Sequence, residues 1–194
     1  MSKIIVFEGP DRCGKKTQTH LLRGYLASKA YRSVVVEVPV YGNPTYHIIY
    51  WMLGNGLAKK FPKLFQWFQY FNRKIFQALT LPSLLRNNDY VILDRWSLST
   101  VVYGTAEGVD AEYSEMLADK LVYPDHTILL LGQSHMGLAE DVYEADNSLQ
   151  ERVKQLYKDW AIMNMSVSSI VDCTLPREEI SQKVNAALQA SNLL

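Results

Sequence analysis

Short runs of apolar residues recur along this chain, separated by longer stretches in which apolar residues return every three or four positions. The short runs are apolar almost throughout, which is typical of strands covered on both faces. They are Lys3–Glu8, Ser33–Val38, Tyr90–Asp94, His126–Leu131 and Ser166–Asp172. Strands that alternate with helices predict a parallel sheet with crossover helices, and therefore an α/β fold.

Three longer stretches have the spacing of one apolar helix face. The predicted faces are Leu64, Phe68, Phe71, Ile75 and Leu79, then Leu149, Val153, Leu156, Trp160 and Met163, and finally Ile180, Val184 and Leu188. Thr174 and Pro176, followed by Glu178 and Glu179, are typical of the start of the last helix. We find no repeat, low-complexity tract or linker, so the sequence predicts one domain over residues 1–194.

The stretch from Phe61 to Phe76 is unusually aromatic, and most of its rings are expected in the core. It carries more apolar faces than one contact with a sheet requires. The surplus could form a helix–helix contact in a dimer or a wall on which a base stacks.

The first predicted strand runs directly into a glycine-rich stretch from Gly9 to Thr17. Gly9, Gly14 and Lys15 have the spacing of a phosphate-binding loop between a strand and a helix. Backbone amides in such a loop surround phosphate oxygens, and the lysine adds positive charge. Lys16 occupies the position at which a serine or threonine usually ligates magnesium. Thr17 lies one residue beyond that position. The alternative is a chance glycine-rich turn.

Composition favours a small-molecule partner. Twenty basic and twenty acidic side chains cancel, and 48% of residues are apolar. The absence of a block of like charge argues against a nucleic-acid or membrane surface, and we expect neither partner. No apolar run approaches the length of a membrane span, and no signal-peptide pattern opens the chain. The two cysteines, Cys13 and Cys173, form no disulfide framework, which indicates a reducing, cytoplasmic compartment.

Asp94 and Arg95 directly follow the apolar Val-Ile-Leu of the third predicted strand. The carboxyl ends of parallel strands are where such sheets bind ligands. Asp94 could hold magnesium there, directly or through water, and Arg95 offers a planar set of donors for phosphates. The alternative is a surface ion pair.

Five motifs in order are similar to those of thymidylate kinases. They are Phe7 to Lys15 with Thr17-Gln18, Asn72-Arg73, Val91 to Trp96 with Ser99 and Tyr103, Tyr123-Pro124-Asp125, and Tyr143-Glu144 with Leu149 to Val153. The resemblance covers most of the chain. It implies a P-loop NTPase-type three-layer fold with a five-stranded parallel sheet flanked by helices, and a lid at about residues 132–147. It also implies a homodimer that transfers the γ-phosphoryl group of ATP to dTMP with Mg2+, giving dTDP for dTTP synthesis.

The resemblance assigns roles to residues of the first loop and the third strand. Arg12, Lys15, Asp94 and Arg95 would be catalytic, with Asp94 as the magnesium ligand and Arg12 supplying charge in the transition state. The residues predicted to bind ATP are Gly9, Pro10, Arg12, Cys13, Gly14, Lys15, Lys16 and Thr17.

The resemblance also assigns the acceptor site. Asp11 would accept a hydrogen bond from the 3′-hydroxyl of dTMP, and Arg73 would reach the carbonyl edge of thymine. Gln69 stands where the family has a stacking aromatic residue, so the neighbouring Phe68 is the expected stacking ring. The remaining expected contacts are Arg95, Thr100, Tyr103, Asp141 and Tyr143. Tyr103 and Thr100 could instead pack within a helix, and the last two could lie in a solvated loop.

Three departures from the family pattern affect charge. Lys16 replaces a hydroxyl residue, Val40 follows Pro39 where an arginine usually grips the acceptor phosphate, and the segment Gly132–Asn147 is acidic and lacks Lys and Arg. We therefore expect weak metal binding and slow turnover. Two alternatives stay open: a kinase for another deoxynucleotide or a nucleoside, and a catalytically weakened nucleotide-binding homologue.

Overall fold

The computed structural model describes residues 2–132 and 147–194, which contain one five-stranded sheet. The strands are β1 (Lys3–Glu8), β2 (Ser33–Glu37), β3 (Tyr90–Asp94), β4 (His126–Leu131) and β5 (Ser168–Asp172). Their order is β2-β3-β1-β4-β5, and every neighbouring pair is parallel. The predicted parallel sheet is confirmed, although β2 ends one residue earlier and β5 begins two residues later than expected.

Helices connect the strands. They are α1 (Lys15–Ser28), α2 (Pro44–Gly54), α3 (Leu57–Lys60), α4 (Pro62–Leu79), α5 (Leu81–Asn87), α6 (Ser97–Ala106), α7 (Ala111–Ala118), α8 (Asn147–Met163) and α9 (Arg177–Ala190). None of the helices within residues 2–132 and 147–194 has both the length and the apolar character needed to cross a lipid bilayer.

Both faces of the sheet are buried, which explains why its strands read as continuous apolar runs. In β1, Ile5 and Phe7 pack with residues of α1 and α9 on one face. The alternate residues Ile4 and Val6 pack with Phe76 of α4 on the other face. The strand ends are therefore fixed between two helical layers, and the loops that follow them start from rigid positions.

The predicted face of α9 is confirmed, because Ile180, Val184 and Leu188 are all buried. The predicted face of α8 is confirmed except at its last residue, since Leu149 and Val153 are buried and Leu156 and Trp160 pack against the same core cluster. Its buried residues are Leu149, Val153, Tyr157 and Ala161, whereas Met163 is 76% exposed.

The predicted apolar face of α4 is wrong, although the helix itself is present. Leu64, Phe71 and Leu79 are 49%, 38% and 78% exposed. The buried residues of α4 are Phe65, Gln66, Asn72, Arg73 and Phe76. Gln66 and Arg73 are polar and line a cavity at the carboxyl ends of the strands. Asn72 is also polar, and its Oδ1 accepts from the Val40 amide at 2.7 Å in the loop after β2.

Candidate active site

The loop after β1 has the backbone of a phosphate-binding loop. Gly9 has φ 141°, and a Cβ atom at this position would overlap the carbonyl oxygen of Leu130. Gly14 has φ 76° and precedes α1 directly. Glycine is required at Gly9 for both reasons, since side chains rarely allow this conformation and the space is filled. The amides of the loop and the start of α1 together form an anion site of the kind the sequence predicts.

Lys15 is buried at the first position of α1 and points back into the loop. Its Nζ donates hydrogen bonds to the carbonyl oxygens of Gly9, at 3.1 Å, and Pro10, at 2.6 Å. Burial lowers the pKa of Lys15, and the nearby Arg95 lowers it further, while Asp11 and Asp94 act in the opposite direction. A phosphate group would restore the favourable partner that this buried ammonium needs.

The end of β3 lies beside the same loop. Asp94 is the register partner of Phe7 in β1, and the Arg95 amide donates to the Phe7 carbonyl oxygen at 2.9 Å. Burial raises the pKa of Asp94, and the positive charges of Lys15 and Arg95 counteract part of that rise. The structure thus brings Asp94 and Arg95 to the loop that holds Lys15.

Two arginines at this site have left-handed backbones. Arg12 has φ 62° and Arg95 has φ 69°. Residues other than glycine adopt this conformation at a cost of about 1–3 kcal/mol and persist in it at functional sites where surrounding contacts hold them. Hydrogen bonds hold the Arg95 side chain, because its Nη1 donates to the Gly9 carbonyl oxygen at 3.2 Å and to Ser99 Oγ at 3.3 Å.

Asp11 is the centre of a hydrogen-bond network beneath the loop. Its carboxylate forms an ion pair with Arg95 and accepts from the Tyr103 hydroxyl at 2.8 Å and from Gln150 Nε2 at 2.9 Å. Burial alone would raise the pKa of Asp11, but Arg95, Lys15 and these hydrogen bonds together lower it. Gln150 also accepts from the Asp11 amide at 3.2 Å. We assigned no role to Gln150 from the sequence, although it lies in one of the quoted motifs.

A cavity of about 430 Å³ opens beside this network. The polar residues that define it are Asp11, Gln66, Gln69, Arg73, Arg95 and Tyr103. Arg73 is held firmly on α4, since its Nε donates to the Trp96 carbonyl oxygen at 3.0 Å and its Nη1 to Gln69 Oε1 at 3.0 Å. Burial lowers the pKa of Arg73 to about 10. Of the expected acceptor residues, Asp11, Arg73, Arg95 and Tyr103 are brought together here.

Two further acceptor candidates do not line this cavity. Phe68 packs against a cluster of buried residues that includes Phe65 and Leu98. It points away from the cavity because one residue along a helix turns the side chain by about 100°. Gln69 lines the cavity instead. Thr100 is 1% exposed, and its hydroxyl has no hydrogen-bond partner among the described residues. Asp141, Tyr143 and most of the predicted lid lie outside the described residues.

Lys16 and Thr17 are exposed in the first turn of α1. Lys16 Nζ forms an ion pair with Glu37 Oε1 at 2.8 Å, at the end of β2. Glu37 is the register partner of Asp94 on the neighbouring strand. This end of the sheet offers only part of the usual ligand set for magnesium. The carboxylate of Asp94 is present, but the ammonium of Lys16 stands where a hydroxyl ligand is usual. Within residues 2–132 and 147–194, no group of three or more metal-binding side chains occurs.

Glu8 is a buried residue of the site that sequence reasoning left without a role. Its carboxylate accepts from the Trp96 amide at 2.7 Å, from Ser99 Oγ at 2.6 Å and from the Tyr157 hydroxyl at 2.8 Å. A negative charge at the start of α6 is favourable. The sequence feature that could have indicated its role is an acidic residue at the end of an otherwise apolar strand. Cys13 and Cys173 are both buried, and neither takes part in a disulfide.

The family model for thymidylate kinase matches residues 7–184. This chain belongs to the thymidylate kinase family. It is similar to a thymidylate kinase from Ehrlichia chaffeensis, at 33% identity over 83% of each chain. A putative thymidylate kinase, 251L, from Invertebrate iridescent virus 6 is 29% identical over 80% of this chain and 74% of the viral protein.

A solved structure shows the same fold. The thymidylate kinase of Candida albicans superposes with a TM-score of 0.80 at 22% identity, over 99% of this chain and 93% of that protein. The five-stranded parallel sheet flanked by helices is therefore the thymidylate kinase P-loop fold.

Membership of the thymidylate kinase family defines the reaction. The chain is an ATP-dependent nucleoside monophosphate kinase that phosphorylates dTMP. The resemblance stated from the motifs is confirmed, and the matches favour this activity over the two alternatives, a kinase for another acceptor and a weakened homologue.

Proposed function

We propose that this thymidylate kinase carries out phosphoryl transfer between the loop after β1 and the cavity beside α4, with Arg95 joining the two. The observation that carries this proposal is the position of Arg95. Its guanidinium contacts the Gly9 carbonyl oxygen of the loop and the Asp11 carboxylate at the cavity wall. A planar group with several donors at that boundary can contact donor and acceptor phosphates at once.

On the donor side, the loop amides and Lys15 would hold the phosphates of ATP, and Arg12 would add positive charge as the γ-phosphoryl group moves. The loop residues Gly9, Pro10, Cys13 and Gly14 contribute mainly backbone contacts. Asp94 would hold Mg2+, which supplies charge neutralisation at the phosphates. Because transfer of a phosphoryl group depends mostly on positioning and electrostatics, these residues suffice without a covalent step on the protein.

On the acceptor side, dTMP would lie in the cavity with its base towards Arg73 and its deoxyribose towards Asp11. Tyr103 and Gln150 hold Asp11 in place through hydrogen bonds. Of the described residues lining the cavity, Arg73 and Arg95 carry positive charge. Since Val40 replaces the usual arginine, Arg95 would be the main contact of the acceptor phosphate.

We further propose a homodimer formed through α2 and α4, in the cytoplasm. These helices pack together, and each exposes aromatic residues. Trp51 is 60% exposed, and Trp67 and Phe71 stack on each other while 39% and 38% exposed. Exposed apolar patches of this kind are typical of protein interfaces. Two buried cysteines, neither of them in a disulfide, suit a reducing compartment.

The test is a product assay with ATP, Mg2+ and dTMP. We expect dTDP, and we expect Arg95→Lys to lower kcat by at least about a hundredfold, because lysine keeps the charge but not the planar donors. Arg177→Lys, at an exposed arginine on α9, is the matched control and should leave kcat unchanged. Binding of ATP and dTMP without dTDP formation would contradict the proposal, as would full activity of Arg95→Lys.

A further inference from the structure

A second cavity, of about 460 Å³, lies on the other side of α6 from the acceptor cavity. Ser97 and Val101 line this second cavity, whereas Ser99 and Tyr103 line the acceptor cavity. Two residues along a helix turn the side chain by about 200°, so the two cavities lie on opposite faces of α6. Cavities of roughly 300–1,000 Å³ are typical of small-molecule sites. The second cavity therefore has room for a ligand while a nucleotide occupies the active site.

Three aromatic residues line the second cavity. They are Trp96, Tyr123 and Trp160. Trp96 is 1% exposed and held firmly, since its Nε1 donates to the Val122 carbonyl oxygen at 2.9 Å. Tyr123 is 70% exposed, and its hydroxyl donates to Asp119 Oδ1 at 2.8 Å. Aromatic rings bury apolar groups well and attract cations over their faces.

The charge of the second cavity is negative. Of the described residues that line it, Glu8, Glu115 and Asp119 are acidic, and none is Lys, Arg or His. Glu115 and Asp119 are exposed and stand four residues apart on α7, or extend one residue past its end, so their side chains lie on the same face. Like charges at this spacing destabilise a helix. A cation held between the two carboxylates would remove that repulsion.

The walls favour an organic cation over a metal ion. Aromatic rings and aliphatic side chains such as Val101 supply no ligand for a hydrated metal. Within residues 2–132 and 147–194, moreover, no three metal-binding side chains come together. An ammonium group attached to an apolar body matches both features, because its charge suits the carboxylates and its body suits the rings.

We propose that the second cavity is a binding site for a small organic ammonium ion. Its charged group would lie beside Glu115 and Asp119, and its apolar body would pack against Trp96, Tyr123 and Trp160. A neutral molecule of the same shape would bury the same apolar surface without the ion pairs. The site is separate from the proposed phosphoryl transfer, so each proposal can fail without the other.

The first experiment compares two ligands of nearly equal shape by calorimetry. We expect the 2-phenylethylammonium ion to bind at least about tenfold more tightly than 2-phenylethanol, because only the former is charged. Saturating dTMP should change the affinity for the ammonium ion by less than about threefold, since the two cavities are separate. Absence of binding, equal binding of the two ligands, or displacement by dTMP would each overturn the proposal.

The second experiment locates the site. Glu115→Gln and Asp119→Asn should each weaken binding of 2-phenylethylammonium by roughly threefold, and the double variant by roughly tenfold. Glu112→Gln, at an exposed glutamate of α7 that does not line the cavity, is the matched control and should leave the affinity unchanged. Thermal melting checks that each variant folds. Wild-type affinity in the folded double variant would overturn the proposal.

Discussion

Lys16 is the residue at which this loop departs most from a phosphate-binding loop. Its ammonium pairs with Glu37 at 2.8 Å, beside the strand end that carries Asp94. A protonated lysine cannot ligate a metal, and its charge repels a divalent cation nearby. The position therefore opposes magnesium, whereas a threonine hydroxyl would serve as a ligand.

We predict that Lys16→Thr tightens the apparent Mg2+ affinity by about tenfold, equivalent to about 1.4 kcal/mol, and raises kcat. Titration of activity with Mg2+, together with calorimetric measurement of metal binding in the presence of ATP, gives both numbers. Glu37→Gln is the matched control, because it removes the ion pair without supplying a hydroxyl. Unchanged or weaker metal binding in Lys16→Thr would count against this account.

Asp94 links stability to pH. Burial raises the pKa of Asp94 in the folded protein. At pH values between the pKa of the unfolded chain and this raised pKa, the folded protein therefore binds more protons than the unfolded chain. Its contribution to stability therefore falls as pH rises from about 4 through the raised folded pKa. At neutral pH the ionised Asp94 destabilises the protein.

We predict that Asp94→Asn raises the midpoint of thermal unfolding at pH 7, measured without nucleotide. The gain should shrink as the pH is lowered and vanish below about 4, because Asp94 is then protonated in both states. Asp159→Asn, at an exposed aspartate on α8, is the matched control and should change the midpoint little at pH 7. A variant less stable than wild type at pH 7 would refute the prediction. Such a trade between stability and activity is common at active sites.

At the scale of elements, Glu8 connects β1, α6 and α8. It accepts from backbone and side-chain donors at the start of α6 and from Tyr157 of α8. This buried carboxylate fixes where α6 begins, and α6 carries Ser99 and Tyr103 into the site. The positions of Ser99 and Tyr103 in the acceptor cavity thus depend on the hydrogen bonds of Glu8 at the end of β1.

Tyr157→Phe tests this connection. Removing the buried hydroxyl leaves Glu8 with one donor fewer, and we expect a loss of about 1–2 kcal/mol in the free energy of unfolding. Tyr123→Phe removes a hydroxyl that bonds Asp119 at an exposed position, and its effect should stay within about 0.5 kcal/mol. Equal effects of the two substitutions in denaturant titrations would be inconsistent with a special role for Glu8.

The strands and the first loop could be predicted from the sequence because local rules decide them. Buried parallel strands are apolar on both faces, and the spacing of Gly9, Gly14 and Lys15 between a strand and a helix is typical of a phosphate-binding loop. The orientation of α4 could not be predicted in this way. Its most apolar stripe, with Leu64 and Phe71, is exposed, and its buried face carries Gln66 and Arg73. Only the tertiary structure shows that this face lines a cavity.

At the scale of the whole molecule, the homodimer proposed above would cover the exposed stripe of α4. We predict that the wild-type protein is a dimer in sedimentation experiments and that Trp67→Glu shifts it to a monomer, because burial of a charge at the interface is costly. Met163→Glu changes a more exposed apolar residue on α8 and should leave the dimer intact. A monomeric wild-type protein would exclude the proposed interface.

Gly104 of α6 lies where α6 packs closely against α4 and α7. A Cβ atom there would lie 2.7 Å from Ser114 Oγ of α7 and 3.3 Å from Gln66 Cγ of α4. Even the methyl group of an alanine at position 104 would therefore displace Gln66, which lines the acceptor cavity. Laboratory evolution of this kinase could consequently retune which nucleotide it prefers through a position that the nucleotide never touches.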